Sequence, residues 1–585
     1  MTSGRLGQDA ADVYIGLDLG TSGLKAMALA ASGAILARAS AAYPTHRPVA
    51  GAYEQDPGDW LLAVQQVVAR LGEAVPVGRW RAIGLSGMLP TLVTLGPDGQ
   101  PTGPAITWQD ARADELGDEF RERCGAAELY RLTGQWVDGR YLLPMFGRIA
   151  RVDPARAAAT ATIASAKDYL FAWLTGELAT DPSTASGYGC YELAADRWHA
   201  ATLAQAATLG LPGRWPDLPP VRPSATSRPL RAEVAAALGC PEVPVVLGAA
   251  DSVLGALGLG VREPGQVAYI AGTSTVILGI ADRLVLDPDH RFLVTPLAVP
   301  GRWGLEMDLL ATGSAITWLA GLLGGDLDAA GLVDLAAGTD PGQAPILLPY
   351  LTPGEQGALW DPLLRGSITG LDLGHGRKHL ARALVNGIVL ESRRCLAVLD
   401  ETCGPGHAVE VAGGSAAARS FRADLADAAR RPVSMPRDDD SDHSARGAAL
   451  IAALATDGGW PSGAFPAVGL TAEPDEARAK LWDDLWAGHE AARLRLHPQA
   501  QVKSGVPEAS LNFAPGTLPT SLSYGTCAGR LAIRVTWNPF CALSARKDGP
   551  RKGRAMLVPL GRFSQAAEAE RLAPSTPIAP TSGEM

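Results

Sequence analysis

The same short pattern occurs twice in this chain, about 250 positions apart: "YIGLDLGTSGLKA" begins at Tyr14 and "YIAGTSTVI" at Tyr269. Each copy reads as an apolar strand, a Gly-Thr-Ser turn and a second strand. A turn that short cannot hold a crossover helix, so the two strands of each copy must run antiparallel. The spacing is far too long for a solenoid repeat. It predicts two domains of similar build, each contributing one glycine-rich turn. At 585 residues the chain exceeds the roughly 250–300 residues at which single cores stop growing, which also asks for at least two domains.

Between the repeats, strand and helix patterns alternate. Residues 13–43 read as three short strands, 56–75 as a helix, Arg81–Leu85 as a strand and 153–176 as helical, with "SAKDYLFAWLTGEL" apolar at helical spacing. The Pro-rich stretch 213–230 reads as loop, followed by a short helix and the strand "VPVVLG" (243–248). The predicted class is α/β.

Composition removes several functions. Apolar residues are 47% and charged residues 19% of the chain, which is ordinary globular usage and excludes disorder of the whole. The net charge of -10 argues against nucleic-acid binding, which needs basic faces to neutralise phosphates. Seven scattered cysteines, with no C-x-x-C pair, suggest neither a disulfide framework nor a zinc site and fit a reducing cytoplasm. The start of the chain has no apolar signal core, and apolar runs break well short of the roughly 18 residues a membrane helix needs. The expectation is a soluble cytoplasmic protein with no membrane or nucleic-acid partner. Residues 501–585 carry +5 against -15 for 1–500 and show no sustained periodicity, so 500–585 is read as a basic, poorly ordered extension.

The turn "DLGTSG" (18–23) offers successive backbone amides, the hydroxyls of Thr21 and Ser22, and Lys25 just beyond, a combination suited to polyphosphate. Asp18 at the strand end is placed to hold Mg²⁺ through water, since that ion keeps much of its hydration shell beside a nucleotide. Further glycines at Gly313 in "ATGSAITW" and Gly413–Gly414 in "VAGGSAAARS" allow backbone to approach a ligand closely. Neither G-x-x-x-x-G-K-[ST] nor a strand-borne G-x-G-x-x-G is present. His375 and His379 lack the Glu of a zinc-protease motif. Asp251 stands alone in "VVLGAADSVLGALGLG" (245–260); a lone carboxylate there needs a use or an outlet, and a strand end facing a cleft supplies both.

Ten ordered stretches from about residue 13 to 455 resemble the FGGY family of carbohydrate kinases, a branch of the actin and hexokinase superfamily. They include "YIGLDLGTSGLKA", "GAYEQDPGDW", "IGLSG", "ITWQDARAD", "KDYLFAWLTGELATDPSTAS", "VPVVLGAADSVLGALGLG", "GTSTV" and "VAGGSAAARSFRADLAD". The resemblance implies two actin-like (ribonuclease H-like) domains, roughly 11–256 and 257–490, with ATP and a sugar in the cleft between them. Asp251 matches the family's catalytic base and Asp18 its Mg²⁺-associated carboxylate. Gly20, Thr21 and Ser22 match the first phosphate loop, and Gly272 and Thr273 the second. Gly313, Gly413 and Gly414 match positions lining the nucleotide, and Lys25 sits where some members carry Arg.

Xylulokinases usually carry Q-M-H-G after "IGLSG", with side chains that meet the sugar; this chain has "MLPT", so Met88, Leu89 and Pro90 take the sugar-facing places, with Trp108 of "TWQD" packing against substrate. Asn386 and Gln356 stand where the family commonly has Glu and Arg. The implied activity is ATP- and Mg²⁺-dependent transfer of the γ-phosphate to a hydroxyl of a small sugar or polyol, with D-xylulose first. Ribulokinase-like, gluconokinase-like and other polyol kinases are the alternatives within the class. An actin-type ATP switch without small-molecule activity is the alternative outside it, and whether the chain pairs into a homodimer is left open.

Overall fold

The computed structural model describes residues 12–209, 215–352, 357–361, 363–406, 408–437 and 442–497, and the backbone of 521–527 and 530–536. Residues 1–505 form one compact unit and 506–585 another. Of the basic extension expected at 500–585, the described part is one antiparallel pair, Ser521–Cys527 with Arg530–Thr536. The rest of it lies outside the described residues, as does Gln356.

Two large sheets organise the first unit. In the first, β1 (Val13–Leu19), β2 (Gly23–Ala30) and β3 (Ile35–Ala42) form an antiparallel meander. On the other side of β1 lie β4 (Trp80–Gly87) and β6 (Pro244–Ala250), both parallel, with β5 (Ser227–Pro229) antiparallel at the edge. The order is β5-β6-β4-β1-β2-β3. In the second sheet, β7 (Val267–Ala271) pairs antiparallel with β8 (Thr275–Ala281), which pairs with β10 (Trp303–Leu309), and β9 (Leu293–Pro296) closes that edge. Beyond β7 lie the parallel strands β11 (Val409–Gly413) and β12 (Val433–Pro436), then antiparallel β13 (Val468–Ala472). The repeated sequence pattern is therefore the seed of a repeated topology: β1-β2-β3 with β4 and β6 answers β7-β8-β10 with β11 and β12. In both, the first strand sits centrally and is buried along most of its length, because helices cover both faces of the parallel half.

Residues 153–176 are not continuously helical. Helix Pro154–Ala159 and helix Ala166–Thr175 are separated by the strand Thr162–Ser165, which pairs with Leu92–Leu95 in a small sheet. Four residues are too few to show a period of two against strong helical flanks. The helix expected at 56–75 is α1 (Pro57–Ala74), started by the Asp56 side chain accepting from Gly58 N–H with Pro57 at the first position. It buries Trp60, Val64, Val67 and Leu71 against the first sheet.

The fold does not keep its two halves apart. Helix α2 (Asp251–Leu259) leaves β6 and helix α3 (Gly313–Leu323) follows β10, whereas α4 (His443–Asp457), late in the chain, returns to lie on α2, β1 and β4. Glycine makes this crossing possible. A Cβ on Gly16 would stand 1.8 Å from the Ala445 carbonyl oxygen and one on Gly84 1.9 Å from that of Ala448, so only glycine admits the helix at this distance. Ala445, Ala448, Ala449 and Ala452 of α4 are fully buried at the contact. No helix among the described residues is long and apolar enough to cross a membrane.

Candidate active site

The turn after β1 is bound on every side. Gly20 N–H donates to Gly23 O (3.1 Å), Gln55 Nε2 donates to Thr21 O (2.7 Å), and the Trp108 indole N–H donates to Thr21 Oγ1 (2.9 Å). Asp18, at the end of β1, is buried and accepts from Ser86 Oγ on β4 (2.7 Å). Its pKa is raised by burial, against the lowering influence of Ser86 and Lys25. Lys25 itself is half exposed and pairs with Asp442 at the start of α4 (2.9 Å).

Asp251 reaches the site through a local distortion. Gly248 has φ +71° and the β6–β4 register slips between Val246 and Ala249, so the strand ends with Asp251 as the first residue of α2. Ser252 N–H donates to Asp251 Oδ1 (2.8 Å), and Ser444 Oγ donates to the Asp251 carbonyl (3.0 Å). The Asp251 pKa is pushed up to about 8, first by burial, then by the negative charges of Asp18 and Glu306, against the lowering effect of the Ser252 bond. Glu306 on β10 in turn accepts from Ser252 Oγ (3.1 Å).

The second turn, between β7 and β8, comes to the same place. Gly272 N–H donates to Ser274 O (2.8 Å), and Thr273 O accepts from Ser314 N–H (3.0 Å) at the start of α3. Close backbone packing gathers the remaining glycines: a Cβ on Gly313 would meet Gly272 O at 2.2 Å, and one on Gly413 would meet Ala271 O at 2.1 Å. Gly414 N–H donates to Ala271 O (3.0 Å), while a Cβ at Gly414 would point into open space.

A cavity of about 320 Å³ is lined by Thr21, Leu89, Pro90, Trp108, Asp251 and Thr273 of the expected set. It is also lined by Gln135, Arg140, Tyr141, Ser252, Ser274, Thr295, Glu306 and Asp308, which the sequence pattern does not single out. Met88 does not line it. Its side chain is buried in the first sheet's core, and its N–H donates to Leu19 O. Gln55 of "EQDP" is also not a wall of the cavity; it is buried against the first turn. Asn386 is explained internally: its Oδ1 accepts from Arg382 Nε (2.7 Å) and its Nδ2 donates to Pro341 O (2.9 Å). A larger open cavity of about 710 Å³ lies around Arg382, Asp424 and Arg478, where the one carboxylate of Asp424 is paired with both guanidiniums, at 2.7 and 2.8 Å.

No group of three metal-ligating side chains occurs among the described residues. The donor set still suits a hydrated divalent cation beside phosphate, which takes one or two carboxylates and keeps its waters. Asp18 is buried without a full countercharge, and its charge is the second cause raising Asp251. A cation here would relieve both.

Residues 13–258 match the N-terminal domain, and 267–456 the C-terminal domain, of the FGGY family of carbohydrate kinases. This chain belongs to that family. It is a carbohydrate kinase, a phosphotransferase. The xylulose kinase of Klebsiella pneumoniae is 30% identical over 71% of this chain and 84% of its own length. The gluconokinase of Bacillus subtilis is 27% identical over 76% of this chain and 87% of its own. Among solved structures, the xylulose kinase from Rhodospirillum rubrum superposes with a TM-score of 0.75 at 31% identity, covering 83% of this chain and 99% of that one. For an FGGY kinase, what matters is that one cavity touches the turns of both sheets and a carboxylate whose pKa is raised.

Proposed function

We propose that this FGGY kinase transfers the γ-phosphate of ATP to a hydroxyl of a small sugar or polyol held in the 320 Å³ cavity, with D-xylulose the first candidate acceptor. The observation that supports it is Asp251 in the wall of the same cavity that Thr21 and Thr273 line. Phosphoryl transfer is mostly positioning and charge neutralisation, so the site needs phosphate-cradling amides and one base to orient the hydroxyl. In this reading the turns at Gly20–Ser22 and Gly272–Thr273 hold the phosphates, while Gly313 and Gly413 let the backbone pack closely around the second turn and Gly414, open on its Cβ side, leaves room for adenosine. Ser252 fixes one oxygen of Asp251, and the other accepts the acceptor hydroxyl. A divalent cation held through water near Asp18 would supply positive charge to the phosphates. Its charge also favours ionised Asp251, which burial otherwise keeps protonated near neutral pH.

The acceptor wall supports a compact, uncharged substrate. Leu89, Pro90 and Trp108 offer apolar faces, and Asp251, Glu306 and Asp308 offer hydroxyl acceptors. Three carboxylates against the single guanidinium of Arg140 weigh against an aldonate, although the gluconokinase of Bacillus subtilis is nearly as similar as the xylulose kinases. The test is coupled ADP release across pentuloses, hexuloses, aldonates and polyols. The expected result is the highest kcat/KM with D-xylulose. A tenfold or greater preference for gluconate or for a four-carbon polyol would overturn that acceptor.

A further inference from the structure

The "EQDP" segment supplies no wall of the acceptor cavity, yet its glutamine is 1% exposed and fully bonded. We propose that Gln55 is a positioning residue for nucleotide: its side-chain amide, together with Tyr43, ties back the carbonyls of the Gly20–Gly23 turn so that the turn presents amides to phosphate. This rests on the placement of the ATP phosphates at that turn.

A turn that binds an anion must point its N–H groups at the ligand and keep its carbonyl oxygens away, since each carbonyl carries partial negative charge. In this turn, each carbonyl has a donor from the protein. Gly20 O accepts from the Tyr43 hydroxyl, Thr21 O from Gln55 Nε2 (2.7 Å), Ser22 O from Tyr43 N–H (3.4 Å) and Gly23 O from Gly20 N–H (3.1 Å). The preceding carbonyl, Leu19 O, accepts from Met88 N–H (2.9 Å). Four of the five donors come from outside the turn.

The orientation of the Gln55 amide is settled by its partners. The indole N–H of Trp60 can only donate, and it donates to Gln55 Oε1 (3.0 Å). The NH₂ end must then face Thr21 O and Thr45 Oγ1 (2.8 Å), which use its two hydrogens. Trp60 in turn is buried in α1, so the clamp is anchored in the core. The Thr21 hydroxyl is directed by the same logic: its oxygen accepts from Trp108, so its hydrogen is turned away from the indole.

The test uses the full chain and reads ADP affinity by titration calorimetry without any acceptor, alongside the separate KM values for ATP and sugar. Gln55→Glu keeps the shape and the Trp60 bond but cannot donate to Thr21 O, and sets like partial charges face to face. Its ADP affinity and KM for ATP should worsen at least about tenfold, with the acceptor KM within threefold. Thr45→Val also strips one bond from Gln55 but leaves the turn held, and should keep ADP affinity within twofold. If Gln55→Glu does not fold, Gln55→Met removes the donor without adding charge and should show the same split. Ser22 is exposed, so Ser22→Asp probes the phosphate placement itself and should lose ADP at least tenfold. Unchanged ADP binding in Ser22→Asp would overturn the phosphate placement and the clamp with it. Loss in Ser22→Asp with ADP binding within twofold in Gln55→Glu would overturn the clamp alone, as would an acceptor KM that rises as far as that for ATP.

Discussion

Replacing Asp251 with Asn should make the enzyme nearly inactive and the nucleotide-free protein more stable. The carboxyl's pKa rises from 3.8 to about 8, first through desolvation of the half-buried side chain and then through the negative charges of Asp18 and Glu306. A tenfold change in proton affinity corresponds to about 1.36 kcal/mol, so a fully enclosed acid displaced this far would cost roughly 6 kcal/mol at high pH. Asp251 opens onto a cavity that admits water, which screens the charge, so this figure is the upper limit of the cost. The sign follows from linkage. Well below pH 3.8 the group is protonated in both folded and unfolded chains and costs nothing. As pH rises towards 8 the unfolded chain loses the proton and the folded protein keeps it, so stability falls, and above 8 the loss is complete.

Asn cannot titrate, so the Tm advantage of Asp251→Asn should be smallest near pH 4, grow through neutrality and level off above pH 8 at no more than about 6 °C, the unfolding entropy of so long a chain being large. Thermal melts of both proteins from pH 4 to 9, without nucleotide or divalent cation, check this. Acceptor-dependent ADP release in the same variant should fall at least about 100-fold, with ADP affinity retained, since base help is typically worth about 10² to 10⁴ in rate. A variant less stable at pH 8, or a Tm difference flat with pH, would refute the burial argument. Near-parental turnover would refute the role of base.

Three other outcomes are expected. Glu306→Gln removes one of the charges that raise Asp251, so the acid limb of the kcat/KM profile should move to lower pH; an unmoved limb would mean that another group titrates there. Gly84→Val should abolish soluble protein or lower Tm by more than about 5 °C, because its Cβ would stand 1.9 Å from the Ala448 carbonyl of α4; a melt within about 1 °C of the parent would show that α4 can shift. Deleting 506–585 should leave activity within a few-fold, whereas deletion from residue 476 onward removes helix Glu476–Leu496, whose buried Trp482 and His489 pack in the first unit, and should yield no stable protein by thermal melt.

Much of the site was legible because its backbone parts are local. A Gly-Thr-Ser turn between two apolar strands needs only adjacent residues, and both copies form the hairpins expected of them. Asp251 was legible for a related reason: a lone acid after an apolar strand and before small residues has few places to go other than a strand end. The cavity's polar wall was not legible. Gln135, Arg140, Glu306 and Asp308 are ordinary polar residues in the chain and acquire meaning from being brought beside Asp251. Met88 does not line the cavity that its place after "IGLSG" suggested, because its side chain packs in the core of the first sheet.

The sequence by itself determined the α/β class, the duplicated strand-turn-strand unit and the carboxylates at the strand ends, because each depends on the conformational preferences of a few consecutive residues. Only the tertiary structure decided how the halves are joined. Helix α4, far along the chain, lies on β1 and β4 through the glycines at 16 and 84, and it sets Ser444 against Asp251 and Asp442 against Lys25. Likewise, Gln55 is bonded to the Gly20–Gly23 turn rather than set in the cavity wall, and Trp60 fixes which end of its amide faces Thr21. Contacts between residues tens to hundreds of positions apart depend on how packed surfaces meet, and no local pattern encodes that.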